Sequence, residues 1–275
     1  MKTYRSQTTL LSPPHQMSVL MFHIITIFPN FFDGPLSHGI VSQAQKKKKV
    51  SIQIHDLRGF TQDRHKTVDD RPFGGGEGMV LKPEPIFRAI ENIHASRSGV
   101  HRDVILLSPQ GRKFNQEIAL ELSMRRQMTL ICGRYEGVDE RVREYSTDDE
   151  ISIGDYVLSG GELAACVLID SVTRLVPGVL NKDSSTLNES FMGNNLLGSE
   201  NTQSYTVLDC PHYTRPENFG GLKVPDLLLS GDHKKIHLWR RKKAIEKTLK
   251  NRPDLLQYDR LSEADKQLLE LKLEP

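Results

Sequence analysis

Apolar positions in the first two thirds of the chain fall into short runs separated by polar, glycine-bearing segments. Val19–Phe28 is β-branched and aromatic, which predicts a buried strand that Pro29 ends. The polar-punctuated segment from Asn30 through His38 carries Phe31 and Phe32 and predicts a helix. After the run Lys46–Lys49, predicted as a solvated turn, Val50–His55 alternates and predicts a half-buried strand. Lys82–Ile93 sets Ile86, Phe87, Ile90 and Ile93 at helical spacing. Three more short strands are predicted at Val104–Leu107, Met128–Cys132 and Glu150–Ile153, alternating with helices that include Asn115–Met124 and Gly160–Pro177. That alternation predicts an α/β fold, a mostly parallel sheet with helices on both faces. The three strands stop at small-residue loops, which should gather at the sheet's carboxyl edge, where ligands bind in open α/β sheets.

Two of the intervening segments carry candidate chemistry. Asp63–Met79 holds four glycines within Gly74–Gly78, too many for a regular helix or central strand. Its mixture of bases, acids and glycines suits backbone-mediated binding of a polyanion or a base. It lacks the Gly-Lys-Ser/Thr of a phosphate loop and is no dinucleotide-binding G-x-G-x-x-G. In Ile151–Leu163 a strand runs into small and polar residues, and Gly160-Gly161 opens a helix. Glycines there let a ligand approach the backbone, and helix-start N–H groups are free to bond it.

Beyond Pro177-Gly178 the character changes. Asn181–Ser204 is rich in Ser, Asn, Thr and Gly and reads as a linker. Asp209–Pro216 resumes order, Asp232 caps a helix that Pro253 stops, and Ser262-Glu263-Ala264-Asp265 starts a last one. The predicted organisation is a tail over 1–16, disordered or ahead of the true start, an α/β domain over 17–179, a flexible linker over 180–208 and a small all-helical domain over 209–275.

Composition narrows the class. With 275 residues, 37% hydrophobic and 26% charged, the chain suits a soluble globular enzyme. No apolar run approaches the roughly 18 residues of a membrane span. Three cysteines, Cys132, Cys166 and Cys210, lie far apart without metal-ligand spacing, which argues for a reducing compartment, by default the cytoplasm. Net charge is only +2, yet nine Lys or Arg and one acid lie between His233 and Arg252. Such a block suits a phosphate backbone, although a solvated helix face accounts for charge of this kind equally well.

Six motifs then appear in order: Phe22–Pro29, Asp69–Gly76, Leu107–Arg112, Cys132–Val142, Ser152–Leu163 and Asp209–Pro216. Together they resemble the bacterial tRNA (guanine-N1)-methyltransferases, the TrmD family, from about Met17 to the C-terminus. The resemblance implies a SPOUT-type α/β domain whose C-terminal part forms a trefoil knot, and a homodimer with interface active sites. It implies S-adenosyl-L-methionine as methyl donor, a magnesium requirement, and methylation of N1 of the guanosine immediately 3′ of the anticodon, in an anticodon arm gripped by the helical domain. Leu107, Ser108, Pro109, Gly133, Glu136, Ser152, Ile153, Gly154, Asp155, Tyr156, Val157, Leu158, Gly160 and Gly161 would hold the donor, Tyr156 and Leu158 against adenine. His65, Asp69, Arg71, Gly75 and Gly76 would contact RNA. Glu136 would help place magnesium or the donor's methionine end; the metal ligands stay unassigned.

Guanine N1 carries a weakly acidic proton, so its methylation calls for a base near N1 and a donor to the charge building on O6. The resemblance gives the second role to Arg174, at the end of the helix that Gly160-Gly161 opens, so one element would hold the donor and deliver the arginine. The family's base is an aspartate just before Ser-Phe; here Glu189 precedes Ser190-Phe191. Its extra methylene requires the backbone to retreat by roughly an ångström. Asp183 is an alternative base. Two rival readings remain from sequence: a catalytically weakened tRNA-binding protein of this fold, and a SPOUT methyltransferase for another RNA.

Overall fold

The computed structural model describes residues 19–95, 103–180, 189–191 and 206–271. The predicted tail over 1–16 and most of the predicted linker, Asp183 included, lie outside the described residues. Two compact units divide between Val179 and Leu180.

The first unit is built on a five-stranded sheet of β1 (Leu20–Thr26), β2 (Val50–Asp56), β5 (Asp103–Lys113), β6 (Gln127–Cys132) and β7 (Asp149–Ser152). The order is β2-β1-β6-β5-β7, and every pairing is parallel. Period-two alternation sends its side chains into two separate cores. Phe22, Ile24, Ile105, Leu107, Met128 and Leu130 pack with residues of α1 (Gly39–Lys46), α3 (Gln116–Ser123) and α5 (Glu162–Leu175). Ile25, Val104, Leu106 and Ile131 pack with residues of α2 (Pro83–Ala95) and α4 (Glu140–Ser146). The predicted doubly covered parallel sheet is therefore the observed one. A two-stranded ribbon, β3 (Asp69–Asp70) with β4 (Val80–Leu81), holds the stem of the glycine-rich loop.

Two local expectations differ from the structure. Asn30–His38 is no α-helix: a 3-10 turn covers Pro29–Phe32, and the helix begins only at Gly39. Gly34-Pro35 interrupts the run, and Gly39 takes a positive φ of 63°. Secondly, β5 does not stop at Leu107. Leu107 and Arg112 both face Ile151 of β7, so Ser108–Gly111 is extruded between them as a bulge. Gly111 lies so tightly on β7 that a β-carbon there would sit 2.3 Å from the Glu150 carbonyl carbon.

The second unit centres on α7 (His233–Asn251), capped by Asp232, with α8 (Glu263–Glu270), capped by Ser262, and the short α6 (Asp226–Leu229). Helices dominate, and one small hairpin joins them: β8 (Asn218–Phe219) and β9 (Leu222–Lys223), turned by Gly220 and Gly221 at positive φ. Arg241 and Asp265, both buried, form a two-armed pair at 3.0 and 2.8 Å that fastens α7 to α8.

Two stability predictions follow from buried polar groups. Asp265→Ala leaves Arg241 buried beside a lost partner and should cost roughly 3 to 5 kcal/mol in urea denaturation. In the sheet, His23 Nδ1 and His55 Nε2 lie 2.9 Å apart, and burial holds the His55 pKa below its usual value. The neutral imidazole is the folded form, so this contribution is present above about pH 6.5 and is lost as pH falls below it. The urea midpoint should drop between about pH 7 and about pH 5.5, and drop less in His55→Phe.

Candidate active site

A bulge within β5 and the loops that leave the carboxyl ends of β6 and β7 enclose one pocket. Its walls are Leu106–Gln110 from the β5 bulge, Gly133–Val138 after β6 and Glu150–Gly154 with Tyr156–Gly161 around the end of β7. Every residue the sequence assigns to the donor lines this pocket, except Asp155. The Asp155 carboxylate is 85% exposed and bonds Lys113 Nζ at 2.6 Å, on the outside of the loop.

Backbone approach shapes the pocket. Gly161 N donates to Gly133 O at 2.9 Å, and Arg134 and Gly160 form an antiparallel bridge. A β-carbon on Gly161 would lie 2.8 Å from Cys132 Cα, so only glycine lets the helix start this close. A β-carbon on Gly133, by contrast, would meet nothing nearer than 3.8 Å. Gly133 could thus carry a β-carbon in ordinary contact with Val138, Gly137 and Leu107, whereas the space beside Gly161 is filled by protein. Tyr156, 56% exposed, lays its ring over Gly154 and donates to Ile153 O at 3.3 Å.

Polar groups on the rim fall into two sets. Glu136 lies across Gly78, where a β-carbon would sit 2.6 Å from Oε1, and its N–H donates to Met79 O. Leu81 N donates to Gly137 O, and Asp139 N to Leu81 O. The stem of the glycine-rich loop is thereby fastened to the pocket wall. His65, Arg71, Gly75 and Gly76 are exposed on that segment, Asp69 is half-buried in β3, and none of the five lines the pocket. The second set was invisible to the sequence reading. Glu162, fully buried, accepts from Thr26 Oγ1 at 2.7 Å and from Arg134 Nε at 2.8 Å. The only available signal was an acid directly after the Gly-Gly pair and an arginine directly after Gly133. Burial also pushes the Cys132 thiol up, with the Glu162 charge adding to it, so this cysteine at the end of β6 is held as a neutral thiol.

Neither of the two residues expected to act on the base lines this pocket. Arg174 is in the last turn of α5, about 18 Å along the helix from Glu162 at 1.5 Å per residue. The same element does not, within one chain, both wall the pocket and deliver the arginine to it. Glu189, half-buried, belongs to the second unit. Its neighbours are anchored there: Phe191 N donates to Val207 O, and Asp209 N donates to Ser190 Oγ at 2.8 Å.

Among the described residues, one group of metal-capable side chains comes together: Asp209, Cys210 and His212. His212 Nε2 already bonds Asp209 Oδ2 at 2.8 Å, and the thiol makes it a poor site for a hard cation. No helix among the described residues is long and apolar enough to cross a membrane.

The profile of the family described as tRNA (Guanine-1)-methyltransferase TrmD matches residues 20–258. The tRNA (guanine-N(1)-)-methyltransferase of Koribacter versatilis is 56% identical over 252 residues, covering 90% of this chain and 96% of that protein. Its counterpart in Dictyoglomus turgidum is 52% identical over 252 residues, 92% of this chain and 96% of that one. The Geobacillus kaustophilus enzyme is 49% identical over 246 residues, 90% and 95% respectively. The chain that builds this pocket belongs to the TrmD family of tRNA (guanine-1)-methyltransferases.

Proposed function

We propose that this protein transfers a methyl group from S-adenosyl-L-methionine to N1 of the guanosine immediately 3′ of the anticodon in tRNA. The observation that carries the reading is the pocket closed by three loops at the sheet's carboxyl edge, in a chain matched by this family over residues 20–258. A lining that includes Leu107, Pro109, Gly133 and Leu158 suits a flat adenosyl group. When bound, the donor supplies an electrophilic methyl on a sulfonium, which needs alignment and no acid. The SPOUT trefoil knot is part of the same proposal.

The chain's own residues then handle a proton and a developing charge. Glu189 takes the proton from N1 as the N1–carbon bond forms, and Arg174 donates to O6, where negative charge builds. The position of Arg174 supports a homodimer as part of this reading. Arg174 stands at the far end of α5 from the pocket of its own chain, so a second copy supplies it. The exposed apolar Leu163 and Val167 support this, since they share a helical face with Arg174 at four- and seven-residue steps. Magnesium belongs to the reading as well. Glu136 offers the oxygen ligand that a hard cation prefers, and one carboxylate leaves the other oxygens to water or to the substrates. The tRNA is held by the exposed bases Lys234, Lys235, Arg240 and Lys250 on α7 and by the segment carrying His65, Asp69, Arg71, Gly75 and Gly76. Three free thiols suit the cytoplasm.

Labelled donor, with unmodified tRNA bearing G or A after the anticodon, tests the assignment: transfer should depend on that G. Glu189→Gln should keep donor binding and lose turnover by about a hundredfold or more; normal methylation would remove Glu189 as the base. Arg174→Ala should lose rate mainly in kcat, by about a hundredfold. Mixed dimers of Arg174→Ala chains with pocket-blocked Gly161→Val chains should regain activity, because one pocket then meets one intact arginine. No recovery would show that Arg174 serves its own chain.

A further inference from the structure

Glu162 has no part in the methyl transfer described above, yet it is the most completely buried acid in the first unit, at 0% exposure. Both of its oxygens are bonded. Thr26 Oγ1 donates to Oε1 at 2.7 Å, and Thr26 itself accepts from Phe28 N at 2.9 Å. Arg134 Nε and Nη2 both reach Oε2 at 2.8 Å. The remaining arm of the guanidinium, Nη1, donates to Ser159 O at 3.0 Å. The guanidinium also lies 4.6 Å from the Phe28 ring centre. One run of bonds therefore joins the end of β1, the loop after β6 and the loop after β7.

Two features tie this run to the pocket as well as to the fold. Arg134 lines the pocket, and the carbonyl it holds belongs to Ser159, on the pocket's lip. Gly160, the next residue, has no side chain because Arg134 fills that space: a β-carbon there would lie 2.1 Å from Arg134 Nε. The lip is thus set by the guanidinium, and the guanidinium is set by a buried carboxylate. Removing the charge of Glu162 leaves Arg134 only hydrogen bonds to hold it, in a place with little water. The buried Arg241–Asp265 pair offers a contrast, since it joins two helices of the other unit.

We propose that Glu162 is a positioning residue for the methyl donor: through Arg134 it holds the Ser159–Gly160 lip at the distance that the donor requires. The inference rests on the pocket's assignment to S-adenosyl-L-methionine. It assigns to Glu162 and Arg134 a role in donor affinity, separate from the chemical step and from RNA binding.

The test uses the full-length protein and measures S-adenosyl-L-methionine binding by calorimetry, steady-state constants for donor and tRNA, and thermal melting. Glu162→Gln keeps the size and the Thr26 bond but removes the charge. Gly160→Ala pushes on the guanidinium from the other side. Both should raise the donor Kd and KM by about tenfold or more, with kcat at saturating donor and KM for tRNA within about twofold of wild type. Arg134→Lys, at a partly exposed position, should show the same split if Glu162→Gln fails to fold. Folded variants with unchanged donor affinity would overturn the inference, as would a loss of kcat that tracks only the melted fraction. Absence of donor binding by the wild-type protein would instead overturn the pocket assignment beneath it.

Discussion

The carboxyl edge of the sheet depends on how closely the start of α5 approaches the end of β6. β7 lies at the sheet's edge, and β5 separates it from β6. The chain leaving β7 must therefore cross two strand spacings, about 10 Å, before α5 can begin against Gly133. That crossing lays Ile153–Gly161 over the strand ends and leaves a pocket beneath it. Contact is made backbone to backbone, Gly161 N to Gly133 O, and a β-carbon at Gly161 would prevent it. The same seating carries Glu162 across to Thr26 on β1, so the buried polar run is a consequence of the crossing.

Much of this was legible in the sequence. The apolar runs at Val104, Met128 and Glu150 mark strands because parallel strands covered on both faces need side chains of one kind throughout. Small residues after each run mark loops, and the α/β alternation puts those loops at one edge. What stayed illegible depends on pairing at a distance. The bulge at Ser108–Gly111 exists because Leu107 and Arg112 share one partner, Ile151, which no local pattern in β5 encodes. The pairing of Glu162 with Arg134 joins residues 28 positions apart and becomes visible only once both are buried. The glycines were legible as close approaches, but not what they approach: for Gly160 and Gly161 it is protein, the Arg134 side chain and the Cys132 backbone.

Charge counting overstated the basic helix in a similar way. Of the cations between His233 and Arg252, Arg241 is taken up by Asp265, and Lys242 donates to Leu269 O. Lys247 donates to Asp209 O, and Lys243 meets Glu246. Arg252 meets Asp254, and Lys235 lies 3.7 Å from Asp232, so the exposed remainder, Lys234, Lys235, Arg240 and Lys250, is a smaller set than the nine of the sequence block. Fewer free cations mean a shallower dependence of RNA affinity on salt than nine would give. Part of the block holds the helical unit together.

Glu189 is best understood through its neighbours. Ser190 and Phe191 are bonded to Asp209 and Val207, and the Arg252 guanidinium lies 5.9 Å from the Phe191 ring. Phe191 adopts a φ of 70°, unfavourable for a bulky residue and maintained by these contacts. The segment is thus set by the helical unit, and the donor pocket is set by the sheet. On the proposed function the base belongs to the helical unit and the methyl donor to the sheet. The longer glutamate side chain then need only match a backbone position that contacts within the helical unit define.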